Sequence, residues 1–132
     1  MKNILNKIAA VLAFAIGGMA IFAGIQVLLG NDPGYYVINW LPVYNYTAGI
    51  LTVFITAVLI WTNHRLALPV AIATISIHAA VMVILQTAYR DVVAPDSIQA
   101  MTVRLVVWAI ILGLLAAGRR ARRARPTNVP VA

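Results

Sequence analysis

Four apolar stretches, each about as long as a bilayer-spanning helix, make up most of this chain. A helix needs roughly 20 predominantly apolar residues to cross the hydrocarbon core of a membrane. Clusters of turn-forming or charged residues separate the stretches, as at Asn31 to Gly34. The sequence therefore predicts an all-α membrane protein, a bundle of four transmembrane helices that forms a single domain at residues 1–118. The predicted spans are residues 8–29, 43–61, 66–89 and 98–118.

The composition excludes a soluble domain and argues against nucleic-acid binding. Of the 132 residues, 63% are hydrophobic and 10% are charged, which leaves too little polar surface to cover a core of this size. The net charge is +7, but five of the ten basic residues lie at residues 119–125. A basic cluster directly after a span is typical of contact with anionic lipid headgroups. Residues 119–132 are predicted to form a basic, disordered cytoplasmic tail.

The uneven distribution of charge predicts the orientation in the membrane. Lys2, Lys7, Arg65 and the tail arginines fall on one side of the predicted bundle, whereas Arg90 and all three aspartates fall on the other. Basic residues are enriched in the cytoplasmic segments of membrane proteins. We therefore expect both termini in the cytoplasm (N-in/C-in) and the chain in the plasma (inner) membrane.

Small residues at helical spacing predict where the helices pack. Membrane helices associate where small side chains let their backbones approach closely. The first span carries one such face and the third span another, which favours tight packing within the chain or in a homo-oligomer. The residues predicted to pack are Ala13, Gly17, Ala20 and Gly24 in the first span and Ala73, Ser76 and Ala80 in the third.

Arg104 is the most unusual residue because it lies inside the predicted fourth span. A charge within hydrocarbon costs at least ~2.5–3.5 kcal/mol, and such a residue is by default a candidate functional group with a charged partner. We expect Asp91 or Asp96 as that partner, with Asp32 as a third choice. The alternative is a structural role, in which Arg104 extends its side chain outward to the interface.

A polar layer around Arg104 predicts a ligand pocket in the outer half of the bundle. Several polar side chains fall at similar depth near the outer ends of the spans, with His78 deeper as the floor of the pocket. The alternative is that these residues satisfy one another and only make the outer half rigid. The candidate ligand-binding residues are Arg104, His78, Gln86, Tyr89, Gln26 and Asp91.

His78 lies near the middle of the third predicted span and is a weak candidate for redox chemistry. Haem ligation would need a second axial ligand, and only Met19 lies at similar depth on another span. The chain has no cysteine and no recognisable catalytic or metal-binding motif, so we expect no catalytic residues, no metal and no cofactor. Haem is the least favoured option, and the other reading is a neutral histidine bonded to a neighbouring group.

Four function classes remain open on the sequence alone. The first is a non-enzymatic accessory or structural membrane subunit, acting as an oligomer or in a larger complex. The second binds or transports a small anionic or amphipathic, lipid-like molecule in the outer pocket. A haem or quinone protein using His78 and a pore-forming protein are weaker alternatives. The expected partners are the lipid bilayer, a bound lipid and other membrane chains, and not nucleic acid.

Overall fold

The computed structural model describes residues 4–31 and 38–123, with only the backbone described at residue 122. These residues form helices and turns with no strand, and four of the helical segments are long and apolar enough to span a membrane. The second span is one helix with a π-helical turn in its middle. The elements are α1 (Ile4–Leu28), α2 (Leu41–Leu51), the π-helical turn (Thr52–Thr56), α3 (Ala57–Trp61), α4 (Ala67–Thr87) and α5 (Pro95–Arg123).

The helix ends differ from the predicted boundaries mainly in α5. This helix begins at Pro95, a residue suited to the first helical position because its missing N–H needs no partner there. It continues to Arg123, past the predicted end at residue 118. Arginine and alanine are good helix formers, so the segment assigned to the tail extends the helix by more than one turn. Residues 124–132 of the predicted tail lie outside the described residues.

Packing around the bundle follows the order of the spans. The second span (α2, the π-helical turn and α3) contacts α1, α4 contacts the C-terminal half of that span, α5 contacts α4, and α1 closes the ring against α5. We call the end formed by the start of α1, the α3–α4 turn and the end of α5 the basic end. The opposite end, which carries Asp91 and Asp96, is the acidic end.

The small-residue face of α1 lies against the second span. Gly17 and Gly24 are buried there, and a Cβ atom at Gly24 would lie 2.6 Å from the backbone nitrogen of Tyr46. Gly49 makes the matching approach from the second span, where a Cβ would lie 2.7 Å from the carbonyl oxygen of Gly17. The two backbones are therefore as close as glycine permits. Ala13 and Ala20 are buried on the same face.

The predicted packing face of α4 lies elsewhere. Ala73, Ser76 and Ala80 are exposed, on the side of α4 that points away from the bundle. The α4 residues that are buried instead are Ala67, Ala71, His78, Val81 and Leu85. The structure therefore shows no packing of this face within the chain. The prediction that the face packs against a helix stays open for contact with another chain, since small residues at such a spacing favour helix association.

Two turns with left-handed residues terminate α3 at the basic end of the bundle and α1 at the acidic end. The α3–α4 turn has Asn63 at φ 55°, with the His64 N–H donating to the Leu59 carbonyl and the Asn63 N–H to the Ile60 carbonyl. This is a Schellman motif, which needs a residue that tolerates the left-handed conformation. Gly30, at φ 94°, ends α1 in the same way.

Candidate functional site at Arg104

Arg104 is buried inside the bundle at the level of the acidic half. Its side chain is 6% exposed, and its Nη1 donates a hydrogen bond to Asn45 Oδ1 at 2.6 Å. Asn45 is itself 4% exposed and lies on α2, which faces α5 across the bundle rather than beside it in the ring. The bond therefore ties together two helices that are not ring neighbours. A buried, short bond to a guanidinium is stronger than one between neutral groups.

Two cavities meet at Arg104. The larger, of about 320 Å³, lies between α1 and α5, and the smaller, of about 100 Å³, lies between α5, α1 and α2. Arg104, Asp96, Ala100 and Ala23 line both of them. The rest of the larger cavity is mostly apolar, with Ile16, Met19 and Val103 in its wall and Gln99 as the remaining polar group. The pair forms an amphipathic space with its polar groups at the acidic end.

Two opposite charges, those of Asp96 and Arg104, line this space at different depths. Asp96 is exposed in the first turn of α5, and Arg104 is buried two turns further along the same helix. Side chains on a helix lean toward its N-terminus, so the Arg104 side chain leans toward the level of Asp96. An ammonium group near Asp96 and an anionic group near Arg104 would each meet a favourable charge.

A second polar group, separate from the cavities, surrounds His78. The Tyr44 hydroxyl and His78 Nδ1 share a hydrogen bond, and Trp40 Nε1 donates to the Tyr89 hydroxyl at 3.1 Å. The Trp40 and Tyr44 rings meet edge to face with centroids 6.4 Å apart, which joins the two bonds into one network. The network links the second span to α4 and packs on the apolar cluster around Leu85 and Met101.

Trp108 adds an unusual feature beside His78. Its ring is fully buried with its centroid 6.3 Å from that of His78, and its Nε1 has no hydrogen-bond partner among the described residues. His78 itself is 3% exposed. Met19, the one residue considered as a second axial ligand for haem, is 64% exposed on α1, which does not neighbour α4 in the ring. The structure therefore does not bring His78 and Met19 together.

The predicted site residues lie in several separate places. Arg104 lines the cavities, whereas His78 and Tyr89 belong to the aromatic network. Gln26 accepts a hydrogen bond from the Asn31 side chain at 3.0 Å, at the end of α1. Gln86 and Asp91 are exposed and line neither of the cavities at Arg104. Asp32 lies outside the described residues.

Sequence reasoning missed the residues that complete the cavity wall. Asn45 bonds Arg104, but in the sequence it stands between two interfacial tyrosines and reads as part of the membrane surface. The sequence feature that could have indicated Asn45 is an amide side chain within an apolar stretch, four residues past the start of α2. Ser97 and Gln99 line one cavity each, and neither was predicted as a ligand-binding residue. Asp96 was predicted as an ion-pair partner of Arg104 and not as a residue of the cavity wall.

The chain matches no family model, no curated protein and no solved structure. Its four long apolar helices suggest a multi-pass membrane protein, and its most distinctive interior feature is a buried arginine at two cavities. No cluster of His, Cys, Asp or Glu that could hold a metal ion occurs among residues 4–31 and 38–123.

Proposed function

We propose that this protein binds an amphipathic, lipid-like molecule in the cavities at Arg104, with an anionic group of the ligand against the guanidinium. The observation that carries the proposal is the position of Arg104, buried at 6% exposure where two cavities meet. A planar guanidinium is well suited to phosphate and carboxylate groups. The larger cavity also falls in the size range of small-molecule pockets, about 300–1,000 Å³.

The lining indicates the class of ligand. Ile16, Met19 and Val103 suit an alkyl chain, while Arg104 and Gln99 suit an anionic headgroup. Asp96 disfavours a ligand with two or more negative charges, because its carboxylate lines the same space. The best fit is a molecule with one anionic group, alone or balanced by an ammonium group near Asp96. Met19 and Val103 are more than a third exposed, so the ligand enters from the side of the bundle.

The binding experiment is native mass spectrometry of protein extracted in mild detergent, which detects retained lipids directly. We expect Arg104→Gln to lose the retained ligand. Arg90→Gln is the matched control, because Arg90 is an exposed arginine that lines neither cavity. Ala100→Leu tests the same idea without removing the charge, since Ala100 lines both cavities and the larger side chain fills them. Full ligand retention in both Arg104→Gln and Ala100→Leu would refute the proposal.

The charge distribution supports a proposed orientation of the site in the membrane. We place the basic end and both termini in the cytoplasm and the Arg104 cavities in the outer half of a plasma (inner) membrane. The support is the positive-inside bias, since Arg65, Arg119 and Arg123 are at the basic end and Asp91 and Asp96 are at the acidic end.

A second candidate function is that of an accessory membrane subunit, acting as a homo-oligomer or in a larger complex. One observation favours it: Ala73, Ser76 and Ala80 form an exposed small-residue face opposite the bundle-facing side of α4. The chain has no cysteine, so Ala73→Cys gives a single site for disulfide crosslinking in native membranes. We expect crosslinks from Ala73→Cys and none from Ala79→Cys, an exposed position about a third of a turn around the helix from Ala73. Equal crosslinking at both positions, or at neither, contradicts this function.

A further inference from the structure

A third cavity lies at the basic end, remote from Arg104. Its volume is about 310 Å³, and it is bounded by the start of α1, the α3–α4 turn, the start of α4 and the end of α5. Four of its lining residues carry nitrogen donors that suit an anion. These residues are His64, Arg65, Arg119 and Arg123.

Specific contacts between three parts of the chain hold the wall of this cavity in place. Asn6 is 2% exposed, lines the cavity and donates from Nδ2 to Asn63 Oδ1 at 2.7 Å. This bond fastens the α3–α4 turn to α1, and the left-handed conformation of Asn63 fixes the direction in which the turn leaves α3. Gly118 lies against Asn6, since a Cβ there would be 3.1 Å from Asn6 Oδ1. Three helices are thereby held together around the cavity.

The turn also sets the hydrogen-bonding state of His64. The backbone N–H of Leu66 donates to His64 Nδ1 at 3.1 Å. Because Nδ1 acts as the acceptor, a neutral His64 ring carries its proton on Nε2. His64 therefore offers a donor at the cavity wall even when it is uncharged.

The positive charge at this cavity has no carboxylate to balance it among the described residues. Arg119 and Arg123 stand one turn apart on α5, a spacing at which like charges repel. Asp91 and Asp96, the aspartates in the described part of the chain, are at the acidic end. Lys7, by contrast, already has partners at the basic end. Its Nζ donates a hydrogen bond to the Trp61 carbonyl at 3.1 Å and lies 3.8 Å from the centre of the Trp61 ring.

We propose that the basic-end cavity is a binding site for an anionic phosphate ester. Arg65, Arg119 and Arg123 supply the planar donors that match phosphate oxygens. Leu68 and Leu115 also line the cavity, and they give apolar contact to the carbon atoms attached to a headgroup. Trp61, exposed beside the cavity, marks the level of the membrane interface, where phospholipid headgroups lie. A basic pocket between membrane helices is a known form of lipid headgroup site.

The experiment measures binding of dioctanoyl phosphatidylglycerol to the full chain in detergent, with dioctanoyl phosphatidylcholine and inorganic phosphate as comparison probes. We expect the anionic lipid to bind more tightly than the zwitterionic one, and Arg119→Gln to weaken that binding about tenfold or more. Arg120→Gln is the matched control, because Arg120 neighbours Arg119 in sequence, has the same charge and does not line the cavity. Arg65→Gln alters an exposed turn residue, which makes it a second test that does not depend on α5.

The outcomes separate the sources of the phosphate. Displacement of the lipid by millimolar inorganic phosphate supports a site that also accepts free phosphate. Tight lipid binding that phosphate does not compete with supports a headgroup site that needs the attached carbons. The proposal is overturned if Arg119→Gln and Arg120→Gln weaken binding equally, which indicates only a diffuse surface charge. It is also overturned if neither Arg119→Gln nor Arg65→Gln weakens binding.

Discussion

Buried asparagines take part in two of the polar contacts inside this apolar bundle. Asn45 accepts from Arg104, and Asn6 donates to Asn63, and both asparagines are less than 5% exposed. An amide leaves no charge to be neutralised, yet it satisfies a charged or polar partner that would otherwise be costly in hydrocarbon. Each asparagine thus connects two separate elements, α2 with α5 in one case and α1 with the α3–α4 turn in the other.

The Arg104–Asn45 bond should appear as a coupling energy in a double-mutant cycle. Hydrogen bonds to charged groups contribute about 1.5–3 kcal/mol in soluble proteins, and bonds within membrane bundles contribute less, with a maximum near 1.7. We expect about 1–1.5 kcal/mol for the cycle of Arg104→Met and Asn45→Leu, measured as the free energy of unfolding in mixed micelles. The control cycle pairs Asn45→Leu with Thr102→Ala, because the Thr102 hydroxyl bonds only its own helix, at the Ile98 carbonyl. A coupling no larger than that of the control rules out the bond as a stabilising contact.

Two substitutions at Asn63 separate backbone conformation from side-chain bonding. Asn63→Gly keeps the left-handed turn but removes the bond to Asn6, whereas Asn63→Ala loses the bond and is also strained at φ 55°. The strain in an alanine at this conformation costs about 1–2 kcal/mol. We therefore expect both variants to unfold more easily than the natural chain, with the alanine variant less stable than the glycine variant by about 1 kcal/mol. Equal stability of the two variants means that the turn relaxes to another conformation.

At the level of helices, close contact between α1 and the second span organises the bundle. Gly17, Gly24 and Gly49 bring the two backbones together over about two turns of α1. The π-helical turn at Thr52–Thr56 lies along this contact, with Thr52 against Gly17 and both threonines buried. Single π-helical turns of this kind are rare and interrupt an otherwise α-helical segment.

Alanine substitutions at two glycines of α1 test this contact. At Gly24 a Cβ would meet backbone atoms, the nitrogen of Tyr46 at 2.6 Å and the carbonyl oxygen of Pro42 at 2.7 Å. At Gly18 nothing lies within 4 Å. We expect Gly24→Ala to destabilise the fold by about 1–3 kcal/mol through overpacking, and Gly18→Ala to be neutral or to stabilise α1 by up to about 1 kcal/mol. Thermal unfolding in detergent measures both, and a similar effect of the two changes contradicts the packing described.

The sequence predicts some of these elements well, for reasons that are local. Four long apolar runs define four helices, and the α1 face could be located because glycine and alanine recur on one side of one helix. The α4 face could not, because lipid is as apolar as a bundle interior and small residues alone do not say which side is buried. Arg104 could be named as a candidate functional residue from the sequence, because a charge within an apolar span is costly wherever the side chain packs. Its partner Asn45 lies on another span, so it depended on which helices face each other.

At the scale of the whole molecule, the two ends differ in charge and in the kind of cavity they hold. The basic end holds a cavity lined by arginines, and the acidic end holds two cavities shared by Asp96 and Arg104. The net charge of +7 is thus divided unevenly along the bundle axis. In a membrane this asymmetry favours one orientation, because cytoplasmic segments are enriched in lysine and arginine.

Cysteine labelling of intact cells tests that orientation directly, since the natural chain has no cysteine of its own. Thr62→Cys lies in the turn at the basic end and Val92→Cys in the turn at the acidic end, and both positions are exposed and uncharged, so the substitutions leave the charge distribution intact. A maleimide that cannot cross membranes should label Val92→Cys in intact cells, and it should label Thr62→Cys only after the membrane is opened. The reverse pattern places the Arg104 cavities on the cytoplasmic side and exposes the basic-end cavity to the outside. Labelling of both positions in intact cells indicates a mixed orientation, which the concentration of arginines at one end argues against.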